Sequence, residues 1–240
     1  MRQPDQDDSP MMNNVKRFLF TVASLSLSIL LAACDGQSPV PQPEPQPDAA
    51  VTASVITDKI ANGWKAGTTG RISVVHYPTN QVTDAVVLTS AVVDGQGNFS
   101  LPLPTGAQVA PYLVEYQTTP RTDCTGYFTS SVPGAKHYNV NFYLLEDTTN
   151  NKVISRAFLQ NNPGFTGDFK VGDYLIERIY ADQAHTVTGT LSCPTFRSTL
   201  NLNLKAGWNA VVDTVDAVNA EGRIRDQTIR SVTSLPANVF

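Results

Sequence analysis

The side chains of this chain whose type and spacing could do chemistry are three cysteines, three histidines and a short run of acids. Cys34 closes the run Leu31, Ala32, Ala33, Cys34, directly behind an apolar stretch, Phe18 to Leu31, that Lys16 and Arg17 approach. A positive front, an apolar middle and small residues before a cut are the layout of an export signal rather than of a fold segment. Ser24, Ser26 and Ser28 interrupt the stretch, which is also short for a membrane-spanning helix of about 20 predominantly apolar residues. His76, His137 and His185 are far apart and none belongs to a short ligand pair such as HxH or HExxH, so no metal and no cofactor is assigned. No Gly-x-Ser-x-Gly elbow is present, and no catalytic residue is assigned.

Asp168, Asp173, Glu177 and Asp182 form the densest acidic run. Paired carboxylates would suit glycoside hydrolysis and clustered oxygens would suit calcium. On a strand, however, Asp173 and Glu177 stand about 13 Å apart on one face, too far to share an ion or a glycosidic bond. With Lys170 and Arg178 beside them, the run reads as a solvated charged edge. The aromatics Tyr112, Tyr116, Tyr127, Phe128, Tyr138, Tyr143, Tyr174 and Tyr180 could stack on sugar rings from a sheet face, although core packing accounts for most of them. The loop Asn161 to Gly167 carries Phe165 as a contact candidate.

In order and spacing, Leu31 to Cys34 resembles the lipobox of bacterial lipoproteins. The resemblance implies cleavage before Cys34, diacylglycerol on its sulfur and a further acyl chain on its new amino group. The expected partner is then a lipid bilayer, and the expected location is the cell envelope with the globular part outside the cytoplasm. At about 0.8 kcal/mol per buried methylene, two or three chains hold a protein firmly where one holds it reversibly. Residues 1–33 are read as the signal peptide. Within them, 1–10 carry Asp5, Asp7 and Asp8, which suits a start placed too early better than the positive front of a signal. Asp35 resembles an inner-membrane retention signal of some double-membraned bacteria.

Behind the anchor, residues 34–50 hold proline at nearly every second position from Pro39 onward. Twelve residues at about 3.1 Å each would make an extended spacer of about 35 to 40 Å. With Cys34 lipidated, Cys124 and Cys193 are an even pair in an oxidising compartment and are expected to form a disulfide. It would close about 70 residues, which the chain-entropy model values at roughly 4 kcal/mol. A metal site or catalytic thiol would need a nearby histidine or a CxxC spacing, and neither is visible.

The elements that must position all of this are strands. Charged residues are 16% of the chain, and the net charge is −4 with no basic cluster, which gives no footprint for nucleic acid. Leu200, Leu202 and Leu204 alternate with Asn201, Asn203 and Lys205, and Tyr138, Val140, Phe142 and Leu144 alternate with Asn139 and Asn141. Further strands are expected over 71–77, 85–93, 98–103, 112–117, 153–159, 173–180, 185–191, 209–215 and 223–232. No stretch shows a convincing helical period with caps, although Asp84 to Val92 can be read either way. Short strands at regular spacing predict an all-β, antiparallel sandwich, either one large domain or two small ones of immunoglobulin-like or transthyretin-like kind. A break near Pro104 to Pro111 divides 51–105, a small sandwich, from 106–240, a larger one.

Trp64 to Tyr77, with Asp94-Gly-Gln-Gly97-Asn-Phe99 and the corner at Pro104, resembles the carboxypeptidase-regulatory-like or transthyretin-like sandwich. That family's domain is an accessory without chemistry of its own, which the resemblance implies here. The segment departs from the pattern in lacking an aromatic soon after Gly106. The turn itself is physical: Gly97 supplies a positive φ, Asp94 caps it and Phe99 enters the core. These features predict an envelope lipoprotein acting as a non-catalytic structural or binding module with envelope proteins or glycans as partners. A glycan- or cell-wall-binding module is the first alternative, and a hydrolase with a loop-assembled site the second.

Overall fold

A computed structural model describes residues 51–78, 84–116, 122–150, 152–162 and 168–236. Cys34, the export signal, the proline spacer and 163–167 of the expected contact loop lie outside the described residues. The chain enters through β1 (Val51–Thr52), β2 (Val55–Lys59), β3 (Gly70–His76), β4 (Val86–Val93) and β5 (Asn98–Pro102). A one-turn helix, α1 (Gly106–Val109), and a 3-10 turn over Ala110–Tyr112 lead to β6 (Val114–Glu115), β7 (Thr125–Ser130) and β8 (Lys136–Val140). Then follow β9 (Tyr143–Asp147), β10 (Lys152–Ala157), β11 (Tyr174–Ala181) and β12 (His185–Cys193). β13 (Phe196–Leu204), β14 (Gly207–Val218) and β15 (Ile224–Ser231) complete an all-β, sandwich-like fold.

A nine-stranded sheet runs β6-β8-β11-β14-β15-β13-β12-β7, with β1 added to β14; a four-stranded sheet runs β10-β9-β3-β4, and β2 pairs with β5. The ladders among the described residues are antiparallel except β13 with β15, which run parallel. Alternation sets the faces. Ile176, Trp208 and Val212 turn one face of the large sheet toward Ile56, Leu101, Ile72, Val74 and Tyr143 of the smaller sheets. Ile179, Ala181 and Val211 turn the other face toward Val187, Leu200, Leu202 and Leu204.

That second core requires the large sheet to roll. Tyr116, just past β6, has its ring 5.8 Å from the ring of His185 on β12. The two strands are six ladder steps apart, roughly 29 Å across a flat sheet at about 4.8 Å per step. Cys124 and Cys193 form the expected disulfide, 69 residues apart in sequence. It staples the edge strand β7 to β12 just beyond the last ladder pair, Thr125 with Ser192.

Strand pairing and core packing run across residue 105. β3 takes β9 as a partner, from Gly70 opposite Asp147 to Ser73 opposite Leu144. Ile56, Ile72, Val93 and Leu101 share their core with Tyr143, Ile176 and Trp208. The four strands β2 to β5 each carry an apolar face that needs a second layer, and the large sheet supplies it. The Asp94–Gly97 turn has the expected chemistry: Gly97 has φ +89°, and the Asp94 carboxylate accepts from the backbone N–H of Gln96 at 2.8 Å and Asn98 at 2.9 Å. Phe99 is buried. A side chain at Gly97 would also press on the Ile60 carbonyl at 3.0 Å and the Trp64 ring at 3.1 Å.

Two further expectations give way. The alternation from Tyr138 to Leu144 predicts one strand, but β8 ends at Val140 and β9 begins at Tyr143. At Asn141 and Phe142 the chain leaves the large sheet for the four-stranded one. The acidic run is not a solvated edge throughout, because β11 is a central strand between β8 and β14. Glu177 is 7% and Arg178 4% exposed. Strong apolar neighbours on both sides, Leu175 and Ile176 then Ile179 and Tyr180, are the sequence signal of a strand covered on both faces.

Candidate functional site

The crossover at Asn141 and Phe142 forms one wall of an open cleft of about 230 Å³ where the large and four-stranded sheets meet. The opposite wall is the end of β3. Val74 pairs with Thr89 and Val75 with Val87, so Leu88 is the extra residue of a β-bulge, and a bulge re-aims the side chains that follow it. Here those are His76 and Tyr77. The bulge is held from outside. Thr105 and Gln108 form a reciprocal capping box on α1, and the Gln108 amide donates to the Leu88 carbonyl at 2.7 Å.

That arrangement sets Tyr112, in the 3-10 turn, against His76, with centroids 4.0 Å apart and planes 22° from parallel. The Tyr138 hydroxyl donates to the Val75 carbonyl at 3.1 Å, tying the large sheet to β3 at the floor of the cleft. Burial, with Tyr112 nearby, pushes the Tyr138 phenol up to about 12, so it remains a donor at physiological pH. Across the mouth, the Tyr77 and Phe142 rings lie 5.3 Å apart. The Arg156 guanidinium, from β10, sits 4.7 Å from the Phe142 centroid and 5.6 Å from that of Tyr77. Burial raises the Tyr77 phenol, and the Arg156 charge opposes that. Asn139 and Asn141, both exposed, complete the lining.

A second gathering of polar groups lies inside the rolled sheet. The Tyr116 and His137 rings stack at 3.7 Å, and the Tyr116 hydroxyl, His137 Nδ1 and His185 Nε2 are buried with no hydrogen-bond partner among the described residues. Burial, followed by the charge of His185, pushes the His137 imidazole down to about 4, against a Val114 backbone hydrogen bond and the Asp182 charge. Burial raises Glu177 to about 7. Asp213, on the same face, is raised to about 8 by burial and then by the charges of Glu177 and Asp216. Glu177 is buried and so is His185, whereas His137 and Asp213 are half-buried, and Asp213 lines a small pocket of about 30 Å³ with Asp173 and Tyr174.

The sequence-predicted residues therefore scatter. Of the tyrosines, Tyr138 lines the cleft and Tyr112 backs it through His76. Tyr127 is 53% exposed on β7 at the far edge, and Tyr143 is fully buried. The acids do not converge: Asp182 accepts from the Lys136 N–H at 2.9 Å and Asp173 from the Lys170 N–H at 2.9 Å. His76 stands in the cleft, whereas His137 and His185 stand in the interior. Sequence reasoning did not find Tyr77, Phe142 and Arg156, which come from three separate strands or their ends. The Thr105-x-x-Gln108 capping signature was the one local clue to the turn that positions Tyr112. No protein family, curated protein or solved structure matches this chain.

Proposed function

We propose that the chain is a lipid-anchored protein of a bacterial cell envelope whose β-domain is a non-catalytic binding module, with the cleft at Tyr77, Phe142 and Arg156 as its ligand face. The cleft carries this reading. It combines aromatic rims, an exposed asparagine at the crossover and an exposed guanidinium in one concave place, the mixture by which sites fix the orientation of a ligand. The lipobox at Cys34 supports the anchor, the proline spacer supports presentation away from a bilayer, and the Cys124–Cys193 disulfide suits an oxidising compartment. The likeness of residues 64–104 to an accessory sandwich fits a role in binding. A glycan or cell-wall ligand is the reading that the aromatic and amide lining favours over a purely structural role.

Growth with labelled palmitate tests the anchor. The expected result is label on the chain and its recovery with membranes, both lost in Cys34→Ala. Recovery of an unlabelled chain with an intact amino terminus from soluble extract would overturn it.

A further inference from the structure

We infer that the cleft receives one carboxylate-bearing sugar ring of a larger glycan, with Arg156 taking the carboxylate. The inference rests on the proposed binding role and names the ligand class of that same cleft.

Size comes first. A volume of about 230 Å³ falls below the ~300–1,000 Å³ usual for whole drug-sized ligands. The cleft is open at its mouth, so it suits one ring-sized unit whose neighbours continue into solvent. The lining then selects the chemistry of that unit. Tyr77 and Phe142 offer aromatic carbon to the C–H face of a saturated ring, whose hydrogens are attracted to the negative π-face. Asn141, at the crossover, carries an amide with both donors and an acceptor, which matches hydroxyl and acetamido groups.

Charge narrows the class further. The ion pairs among the described residues are Arg71 with Glu146, and Arg197 and Arg225 with Asp226. Arg156 is in none of them. Glu146, whose charge is felt at Tyr77, is held by Arg71 at 2.7 Å. Among the described residues no acid lines the cleft. Placement over two aromatic rings restrains the Arg156 side chain through the cation–π attraction without using a carboxylate partner. A restrained guanidinium with a planar fork of donors is the side chain best suited to a carboxylate in two-point contact. A neutral sugar would leave the guanidinium without an anionic partner.

The test is calorimetric titration of the detergent-solubilised full chain with three probes: a uronic-acid tetrasaccharide, the same tetrasaccharide with its carboxylates reduced to alcohols, and an acidic tetrapeptide. The acidic sugar is expected to bind at least tenfold more tightly than its reduced form, with a preference that shrinks as salt is raised. Arg156→Gln should remove that preference, and Tyr77→Ala with Phe142→Ala should remove binding of both sugars. Circular dichroism establishes that each variant is folded, and the comparison of the two sugars on the unaltered chain does not depend on any variant. Equal binding of the two sugars overturns the role of Arg156 and leaves a glycan cleft standing. Binding of the peptide alone overturns the sugar and leaves a binding module. Binding of none of the three overturns the inference, and the palmitate experiment, which does not involve the cleft, then judges the anchor separately.

Discussion

The cleft and the interior of the rolled sheet are made of the same kinds of side chain and use them in opposite ways. Each stacks a tyrosine on a histidine, Tyr112 on His76 at 4.0 Å in the cleft and Tyr116 on His137 at 3.7 Å in the interior. Each also holds a charged group close by, Arg156 over two rings in one and Glu177 with Asp213 in the other. The difference is water. Arg156, Asn139 and Asn141 are exposed, so they keep their solvation and their donors stay available to a ligand. Glu177 and Asp213 have lost most of theirs, and burial decides their charge. An aromatic stacked on an imidazole is thus no sign of a site by itself; access separates recognition from packing.

The pH dependence of stability gives the largest expected effect and belongs to the interior alone. The folded-state values of about 7 for Glu177 and about 8 for Asp213 lie above their ordinary 4.5 and 3.8. Between those limits the folded state binds more protons than the unfolded one, so stability falls as pH rises. At about 1.4 kcal/mol per pKa unit the two groups together should cost roughly 9 kcal/mol between pH 4 and pH 9. His137 works the other way. Its folded value of about 4 is below the ordinary 6.5, so its contribution is present above 6.5 and lost as pH falls toward 4. Urea denaturation across this range should show a steep alkaline decline that Asp213→Asn flattens, with a weaker acid-side loss offset by the carboxyls. A flat alkaline limb in the unaltered protein would mean that the interior is wet, and the contrast with the cleft would fail.

Next in size is the disulfide. β7 covers one side of the interior through Phe128, which packs against that core, and contributes nothing to the cleft. Replacing Cys124 and Cys193 together by serine should cost roughly 4 kcal/mol in urea denaturation, from the entropy of the 69-residue separation. Glycan affinity of the protein that remains folded should be unchanged. A loss under about 1 kcal/mol would mean that the β7–β12 ladder holds the edge without the staple.

These expectations depend on parts of the molecule that the sequence disclosed unequally. The leucine alternation of β13 and the Asp94–Gly97 turn are local, and the structure reproduces both: Leu200, Leu202 and Leu204 are buried and Gly97 takes its positive φ. The disulfide followed from parity and spacing. The alternation from Tyr138 to Leu144 misled because period two reports which face a residue takes, not which sheet it belongs to. Phe142 keeps the rhythm while the chain changes layers. Glu177 and Arg178 misled because charge suggests an edge, whereas strand order, a non-local property, made β11 central. The cleft was illegible for the same reason. His76 with Tyr77, Asn141 with Phe142, and Arg156 meet only after β3, β9 and β10 have paired, and no spacing along the chain encodes that.

The smallest expected effect is the sharpest division between the two regions. Arg156 is exposed, and its contacts with Phe142 and Tyr77 are cation–π pairs worth about 0.5–1 kcal/mol at such positions. Arg156→Gln should therefore change stability in urea by less than about 1 kcal/mol, and by the same amount at pH 5 and pH 9. Asp213→Asn, in contrast, should change stability in a strongly pH-dependent way. The reason is physical: the folded environment of Arg156 resembles water enough that its charge costs little, so removing it relieves little. A loss of several kcal/mol on Arg156→Gln would place the guanidinium among the groups that hold the two sheets together. It would then be a structural clasp between β10 and the crossover at Phe142, and the cleft would have no spare cation to offer.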